Sequence, residues 1–208
     1  MGKITDIKTQ KGNKSRVSIY IDGRFFCGLD ALTALKHRLE IGMEADEDEL
    51  AQIQLESEYA SALDKSLGFL SLRQRSEKEM SDYLKKKGCL PMTVARVKER
   101  LRELGYLNDR EFARAYVAEN KRVYGTVRLK TELMKRGVDR DIIDETLETD
   151  DRSEEVKELA KKLWKTCGGE KRKLKEKLYR KGCMSDEISG AMDALEDEAF
   201  FDEDGEIE

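Results

Sequence analysis

Three stretches of the chain share one pattern of apolar and basic positions that ends in a glycine. An apolar residue lies eight positions before the glycine and a leucine lies four before it. The three positions between that leucine and the glycine are mostly basic. The two apolar positions fall on one face of a helix, and the glycine suits a left-handed helix cap. The copies are Met80, Leu84 and Gly88; Leu129, Leu133 and Gly137; and Leu174, Leu178 and Gly182. Their spacing of about 45 to 49 residues is typical of repeat proteins.

Signals on both sides of this central helix predict three helices in each copy. Ser76 with Glu79 and Asn108 with Glu111 have the spacing of a capping box, and Pro91 suits the first turn of a helix. An apolar residue also stands six positions after each glycine, at Val94, Ile143 and Ile188. The similarity therefore extends beyond the pattern that first revealed it.

Near the N-terminus the period of the pattern changes from that of a helix to that of a strand. Val17, Ile19 and Ile21 alternate with Arg16, Ser18 and Tyr20, and Asp22-Gly23 is a favoured two-residue hairpin turn. An earlier strand around 4–9 would return through Gly12-Asn13. A helix is expected over 29–38, with Leu32, Leu35 and Leu39 on one side, and an acidic helix is expected from about Asp46.

Together these patterns predict a mainly α fold. We expect three tandem three-helix repeats that form an elongated, curved molecule, with a small N-terminal β element of two to three strands. The predicted segments are the β element 1–28, a helical acidic connector 29–59, repeats over 60–106, 107–150 and 151–199, and an acidic tail 200–208.

Composition favours several thin cores over one deep core, because 40% of the residues are charged and the mean hydropathy is -0.72. The net charge of -4 hides a segregation of charge. Residues 40–58 contain 8 acids and no Lys or Arg, whereas residues 72–136 contain 18 Lys or Arg against 9 acids. Residues 186–208 are again acidic, with 11 acids and no Lys or Arg. An acidic total therefore does not exclude binding to a polyanion.

The sequence lacks the usual patterns of catalytic and cofactor sites. It has no phosphate-binding loop, dinucleotide fingerprint or nucleophile elbow, and its single histidine stands apart from its four cysteines. We therefore expect neither an enzyme nor a metal or other cofactor. With no long apolar run and no signal peptide, the chain is expected to be cytoplasmic, monomeric and free of membrane contact.

The remaining candidate site is a set of clustered lysine and arginine side chains that could bind an anion. Any one of them can instead be solvated or paired with a carboxylate on the same helix. The candidate contacts are Arg73, Arg75, Lys85, Lys86, Lys87, Arg114, Lys121, Arg122, Arg128, Lys130, Lys135 and Arg136. Tyrosines lie among them. Tyr116 shares the apolar face of Phe112 and is expected in the core, whereas Tyr83 and Tyr124 remain open between core packing and base stacking.

The central residues resemble the RecX family of bacterial recombination regulators. The resemblance rests on 76–88, on 104–109, on Phe112-Ala113 with Tyr116-Val117, and on 133–137. The β element with its Asp-Gly turn is similar to the longer RecX forms of Gram-positive bacteria. The resemblance spans nearly the whole chain, and its residues are caps and core positions, so no catalytic residue is implied.

The resemblance implies a non-enzymatic protein that binds in the helical groove of the RecA filament. Such a protein modulates the ATPase, strand exchange and co-protease activities of RecA in recombination, DNA repair and the SOS response, mostly by inhibition. The RecA filament is then the expected partner, with single- or double-stranded DNA as a further one. The alternatives are a stand-alone DNA-binding protein that uses helix-turn-helix-like repeats, and a passive helical scaffold.

Overall fold

A computed structural model describes residues 2–198, and these residues divide into two compact units. The first unit comprises 2–75 and 80–107, and the second comprises 76–79 and 108–198. The predicted acidic tail 200–208 and the last residue of the predicted third repeat lie outside the described residues.

The first unit begins with an antiparallel sheet in the order β3-β2-β1-β4. Its strands are β1 (Gly2–Gln10), β2 (Asn13–Ile21), β3 (Arg24–Asp30) and β4 (Glu44–Ala45). Asp22 and Gly23 join β2 to β3 with positive φ angles of 48° and 80°, as a type I′ turn requires. The three predicted strands are confirmed. The strand β4 was not predicted, because two residues are too few to show an alternating pattern of apolar and polar positions.

Four helices follow, α1 (Ala31–Lys36), α2 (Glu47–Leu70), α3 (Glu77–Lys86) and α4 (Pro91–Glu103). The opening residues of α3, Ser76–Glu79, group with the second unit. The expected apolar side of α1 is wrong, since Leu32 and Leu35 are 75% and 74% exposed. The helix begins later than expected, because β3 continues to Asp30, whose side chain caps α1 and so turns Thr33 and Ala34 inward.

The second unit contains six further helices among the described residues. They are α5 (Asp109–Asn120), α6 (Thr126–Lys135), α7 (Arg140–Glu148), α8 (Ser153–Trp164), α9 (Lys171–Lys181) and α10 (Ser185–Asp197). Asn108 caps α5 by accepting from the backbone N–H groups of Arg110 and Glu111, and Asp139 caps α7 by accepting from Asp141. The three-helix pattern predicted from the sequence is therefore confirmed.

In the structure, the repeated pattern marks a buried helix face followed by a glycine cap, as its spacing predicted. All three glycines have positive φ, at 81°, 76° and 87° for Gly88, Gly137 and Gly182. The apolar residues eight and four positions earlier are fully buried in every copy. Each repeat has its own apolar cluster, and the sheet has a fourth, which confirms several thin cores.

Within the second unit, the start of α6 packs against the end of α9. The backbone N–H of Gly125 donates to the carbonyl of Lys181 at 3.1 Å, and that of Val127 donates to the carbonyl of Gly182 at 2.9 Å. These carbonyls at the end of α9 would otherwise lack a partner in the helix. Space is so limited that a Cβ on Gly125 would lie 2.3 Å from the backbone nitrogen of Cys183.

A similar contact satisfies the backbone carbonyl groups at the end of α6. The hydroxyl of Ser76 donates to the carbonyl of Arg136 at 2.6 Å, and the ammonium of Lys78 donates to that of Lys135 at 3.1 Å. Ser76 and Gly125 occupy equivalent positions, each twelve residues before a repeat glycine. At Gly137 and Gly182, the turn at the repeat glycine is thus both a helix end and a docking point.

Gly182→Ala should lower the free energy of unfolding of the second unit more than Gly168→Ala. Both glycines have positive φ, so either substitution strains the backbone by about 1–2 kcal/mol. Only at Gly182 does the new Cβ meet backbone, 2.6 Å from the nitrogen of Arg128, and displacing it adds about 1–3 kcal/mol. Urea unfolding followed through the single tryptophan, Trp164, measures both, and equal losses would contradict the packing argument.

Candidate functional site: cations over tyrosine rings

The residue immediately before the repeat glycine is a cation in all three copies, and each cation lies over a tyrosine ring. The Lys87 ammonium is 5.5 Å from the centre of the Tyr83 ring. The Arg136 guanidinium is 4.5 Å from Tyr116, and the Lys181 ammonium is 6.0 Å from Tyr124. The repeat therefore positions the same chemistry three times, although the tyrosines come from different elements.

In the first unit, the contact belongs to a four-layer stack that we call the first-unit stack: Arg75, Phe69, Tyr83 and Lys87. The guanidinium of Arg75 lies 3.9 Å from the centre of the Phe69 ring. The rings of Phe69 and Tyr83 are 4.0 Å apart and nearly parallel, at 5°. Tyr83 is thus packed on one face by Phe69, and the stack holds two cations at fixed positions.

Two further lysines extend this charge. Lys85 and Lys86 are exposed on the last turn of α3, and among the described residues neither has an ion-pair partner. Their place at the negative end of the helix dipole stabilises the positive charge. Together with Lys87 they form a compact cationic end of the helix.

In the second unit, two tyrosines and three cations form what we call the second-unit cluster: Tyr116, Tyr124, Arg128, Arg136 and Lys181. Arg128 lies 4.7 Å from the centre of the Tyr124 ring, on which Lys181 also lies. Tyr116 is half-buried in the apolar cluster, as expected, and burial raises its pKa, so its hydroxyl stays neutral. A cation over an aromatic face contributes about 0.5–2 kcal/mol.

One carboxylate moderates the charge of this cluster. Glu132 accepts hydrogen bonds from Arg136 at 2.9 Å and from Lys135 at 3.1 Å. These bonds hold the pKa of Glu132 below its ordinary value, so it is ionised at neutral pH. Arg128 and Lys181 keep most of the uncompensated charge.

Besides Lys135 and Arg136, two more of the predicted cations form internal ion pairs. The ammonium of Lys121 lies 2.8 Å from Glu155 and 3.3 Å from Asp150, and its side chain is only 24% exposed. Lys130 pairs with Asp144 across the α6–α7 contact. Both side chains hold helices together, and a bound anion would have to compete with carboxylates.

The remaining candidates stand apart from these groupings. Arg114 on α5 and Arg122 after it are exposed, and Arg122 faces the carboxylates of Glu154, Glu155 and Glu158. Arg73 lies in the turn before α3 and donates to the carbonyl of Gln74 at 2.8 Å. The structure therefore groups Arg75 and Lys87 in one unit and Arg128 and Arg136 in the other.

Sequence reasoning omitted Lys181 from the candidate contacts, although it stands at the same position of the repeat as Lys87 and Arg136. Aligning the copies at their glycines would have found it. No sequence signal indicated Phe69, because it meets Tyr83 only through the packing of α2 on α3.

Other kinds of site find no support in the described part of the chain. No three His, Cys, Asp or Glu side chains within residues 2–198 are placed to hold a metal ion. No helix there has both the length and the apolar character needed to cross a bilayer.

Family models match three segments of the chain. Residues 2–46 match the RecX N-terminal domain, 62–101 the first RecX three-helix domain, and 108–147 the second. The regulatory protein RecX of Bacillus subtilis (strain 168) is 40% identical over 215 residues, covering 99% of this chain and 81% of that protein. The regulatory protein RecX of Clostridium tetani is 32% identical, covering 94% of this chain and 95% of that one.

Solved structures are similar over the same length. A crystal structure of regulatory protein RecX superposes with a TM-score of 0.66 at 26% sequence identity, covering 93% of this chain and all of that one. The mainly helical fold with a small N-terminal sheet is thus shared with a solved relative.

Lys121→Met should weaken the second unit at neutral pH and make its stability less sensitive to acid. The hydrogen bond from Lys121 lowers the pKa of Glu155, so this contribution is fully present above the ordinary glutamate pKa of about 4.3. It is lost as the pH falls through the lowered value in the folded protein. Urea midpoints at pH 7 and pH 3, read from Trp164, should differ less in the variant than in the wild type.

Arg114→Met is the matched control, because Arg114 is an exposed cation on α5 and has no ion-pair partner among residues 2–198. It should leave both midpoints nearly unchanged. A Lys121→Met variant with the wild-type midpoints at both pH values would show that its ion pairs contribute nothing to stability.

Proposed function

Since this chain belongs to the RecX family, as the resemblance of its central residues indicated, we propose that it regulates the RecA recombinase. It binds in the helical groove of the RecA–DNA filament and modulates, mostly by inhibition, the ATPase, strand exchange and co-protease activities of RecA. It acts without chemistry of its own, as a monomer in the cytoplasm. Membership of the RecX family is the observation that carries RecA as the target, and the recurrence of a cation over a tyrosine in all three repeats supports contact with phosphates of its filament.

The cations at these positions suit a target that itself repeats. A nucleoprotein filament presents phosphates at regular intervals, and each neutralised phosphate releases counterions and so favours binding. Because tyrosine rings hold the cations, little side-chain freedom is lost when they meet an anion. Lys85, Lys86 and Lys87 in the first unit, and Arg128, Arg136 and Lys181 in the second, are the contacts that we propose.

A stand-alone DNA-binding protein is the second candidate, because the same cations suit DNA without RecA. The two functions differ in the amount of protein needed. A filament regulator acts on many RecA protomers from few sites, whereas a competitor for DNA must coat the DNA.

Added to RecA on single-stranded DNA, the protein should inhibit ATP hydrolysis at ratios well below one per RecA. The measurement is the steady-state rate of ATP hydrolysis across a titration of the protein at fixed RecA and DNA. Inhibition only at ratios that saturate the DNA would favour the DNA competitor. Absence of any effect at saturation would exclude both.

Replacing Lys85, Lys86 and Lys87 together by Ala should weaken inhibition and reduce its dependence on salt. Loss of three phosphate contacts should reduce the log–log salt slope for single-stranded DNA by about 2. Half-inhibitory concentrations across a salt series give this slope.

The control variant replaces Lys171, Arg172 and Lys173 by Ala, which removes the same charge from the start of α9. These side chains already pair with Glu196, Glu176 and Glu170. Inhibition by the control should remain close to that of the wild type. Equal effects of the two triple variants would show that net charge matters and that the end of α3 does not.

A further inference from the structure

An apolar groove of about 910 Å³ crosses the first unit and has no role in the function proposed above. One wall is the long helix α2, which contributes Tyr59, Leu63 and Leu67. The opposite side is formed by Met92 and Arg96 near the start of α4. All of these residues belong to one compact unit, so the groove is a feature of that unit alone.

The apolar side chains of the groove are open to solvent. Met92 is 73% exposed and Leu67 is 39% exposed, although both are large apolar residues. A few neighbouring apolar side chains left open in a concave site are typical of a surface that another molecule covers. The guanidinium of Arg96 lies 4.2 Å from the centre of the Tyr59 ring and holds that ring in the wall.

Carboxylates outnumber cations along the groove, where Glu49, Glu56 and Asp64 accompany Arg96 and His37, and the carboxylates are partly uncompensated. Glu56 is satisfied by Lys36 and by His37, whose Nε2 lies 3.0 Å from its carboxylate. Glu49 and Asp64 also line the groove, and neither has an ion-pair partner among residues 2–198. They stand fifteen residues apart on α2, which at 1.5 Å per residue separates them by about 22 Å.

From this arrangement we propose that the groove docks a protein segment whose apolar side chains lie between lysine or arginine residues. Apolar groups would cover Leu63, Leu67 and Met92, and the basic residues would meet Glu49 and Asp64. The inference rests on the proposed function, under which the segment belongs to RecA. The groove would then bind the protein part of the filament, while the first-unit stack and the second-unit cluster bind its DNA.

The choice of a protein over a nucleic acid follows from the sign of the charge. Two uncompensated carboxylates repel phosphates, and like charges brought together at an interface are unfavourable. A span of about 22 Å matches six or seven residues of extended chain, at about 3.3 Å each, or about four turns of helix. Both are ordinary sizes for a docked peptide segment.

The test reverses the two carboxylates in one variant, Glu49→Lys with Asp64→Lys. Its half-inhibitory concentration for RecA ATP hydrolysis should rise at least tenfold, while its affinity for single-stranded DNA, measured without RecA, is maintained or increased. A second variant, Met92→Gln, replaces an apolar side chain of the groove by a neutral polar one and should also raise the half-inhibitory concentration. Met92 is 73% exposed, so this variant should fold normally.

The matched control is Glu40→Lys with Glu44→Lys, which makes the same change of net charge at exposed positions outside the groove. Its half-inhibitory concentration should stay within twofold of the wild type. Urea unfolding of each variant establishes that the first unit is folded. If the folded groove variants inhibit as well as the wild type, the groove proposal is overturned and the proposed function stands. If the wild type itself does not inhibit, both fall.

A photo-crosslinking amino acid at Met92 gives an independent readout. Irradiation on RecA filaments should join it to a RecA peptide that contains apolar residues beside Lys or Arg, as identified by mass spectrometry. The same amino acid at Leu32, an apolar position of the first unit that is 75% exposed and does not line the groove, serves as the reference for nonspecific capture. Crosslinks from Met92 to DNA, or to RecA no more often than from Leu32, would overturn the proposal.

Discussion

The structure of the second unit depends on the carbonyl groups at the ends of two central helices, α6 and α9, that have no partner within their own helix. A helix leaves its last carbonyls without partners, and water can satisfy them only where the helix end is exposed. Here the start of the preceding central helix donates to them, through Ser76 in one case and the backbone of Gly125 in the other. Since the glycine after the helix also allows the chain to reverse, one turn ends a helix and docks its neighbour.

Contacts between helices use some of the charged residues of this chain. Each apolar cluster is small, and docking turns and ion pairs add to the contact between neighbouring helices. Lys121 and Lys130 form such ion pairs, which reduces the number of cations that can bind a partner. Among the cations before the repeat glycines, tyrosine rings instead of carboxylates hold Lys87 and Lys181, whereas Arg136 also pairs with Glu132. Lys87 and Lys181 therefore remain available to a partner.

The sequence predicted the features that depend on local chemistry. Periodicity located the helices, capping residues such as Asn108 and Asp139 located their starts, and the Asp22-Gly23 turn fixed the first hairpin. Prediction from the sequence failed where packing between elements determines the surroundings of a side chain. The leucines of α1 follow a helical period yet face solvent, and no local signal separates a cation over a ring, such as Arg128, from one in an ion pair, such as Lys130. The aromatic partners became known only from the fold.

The long helix α2 belongs to two cores at once. Its first half covers the sheet with Leu50 and Ile53, and its second half enters the next cluster through Ala62. During synthesis on the ribosome, the strands therefore emerge before the residues that bury their apolar face. The sheet core can close once Leu50 and Ile53 of α2 have emerged, whereas the second core also needs α3 and α4, which emerge later. The helix that completes the sheet thus also provides the first surface on which the next core forms.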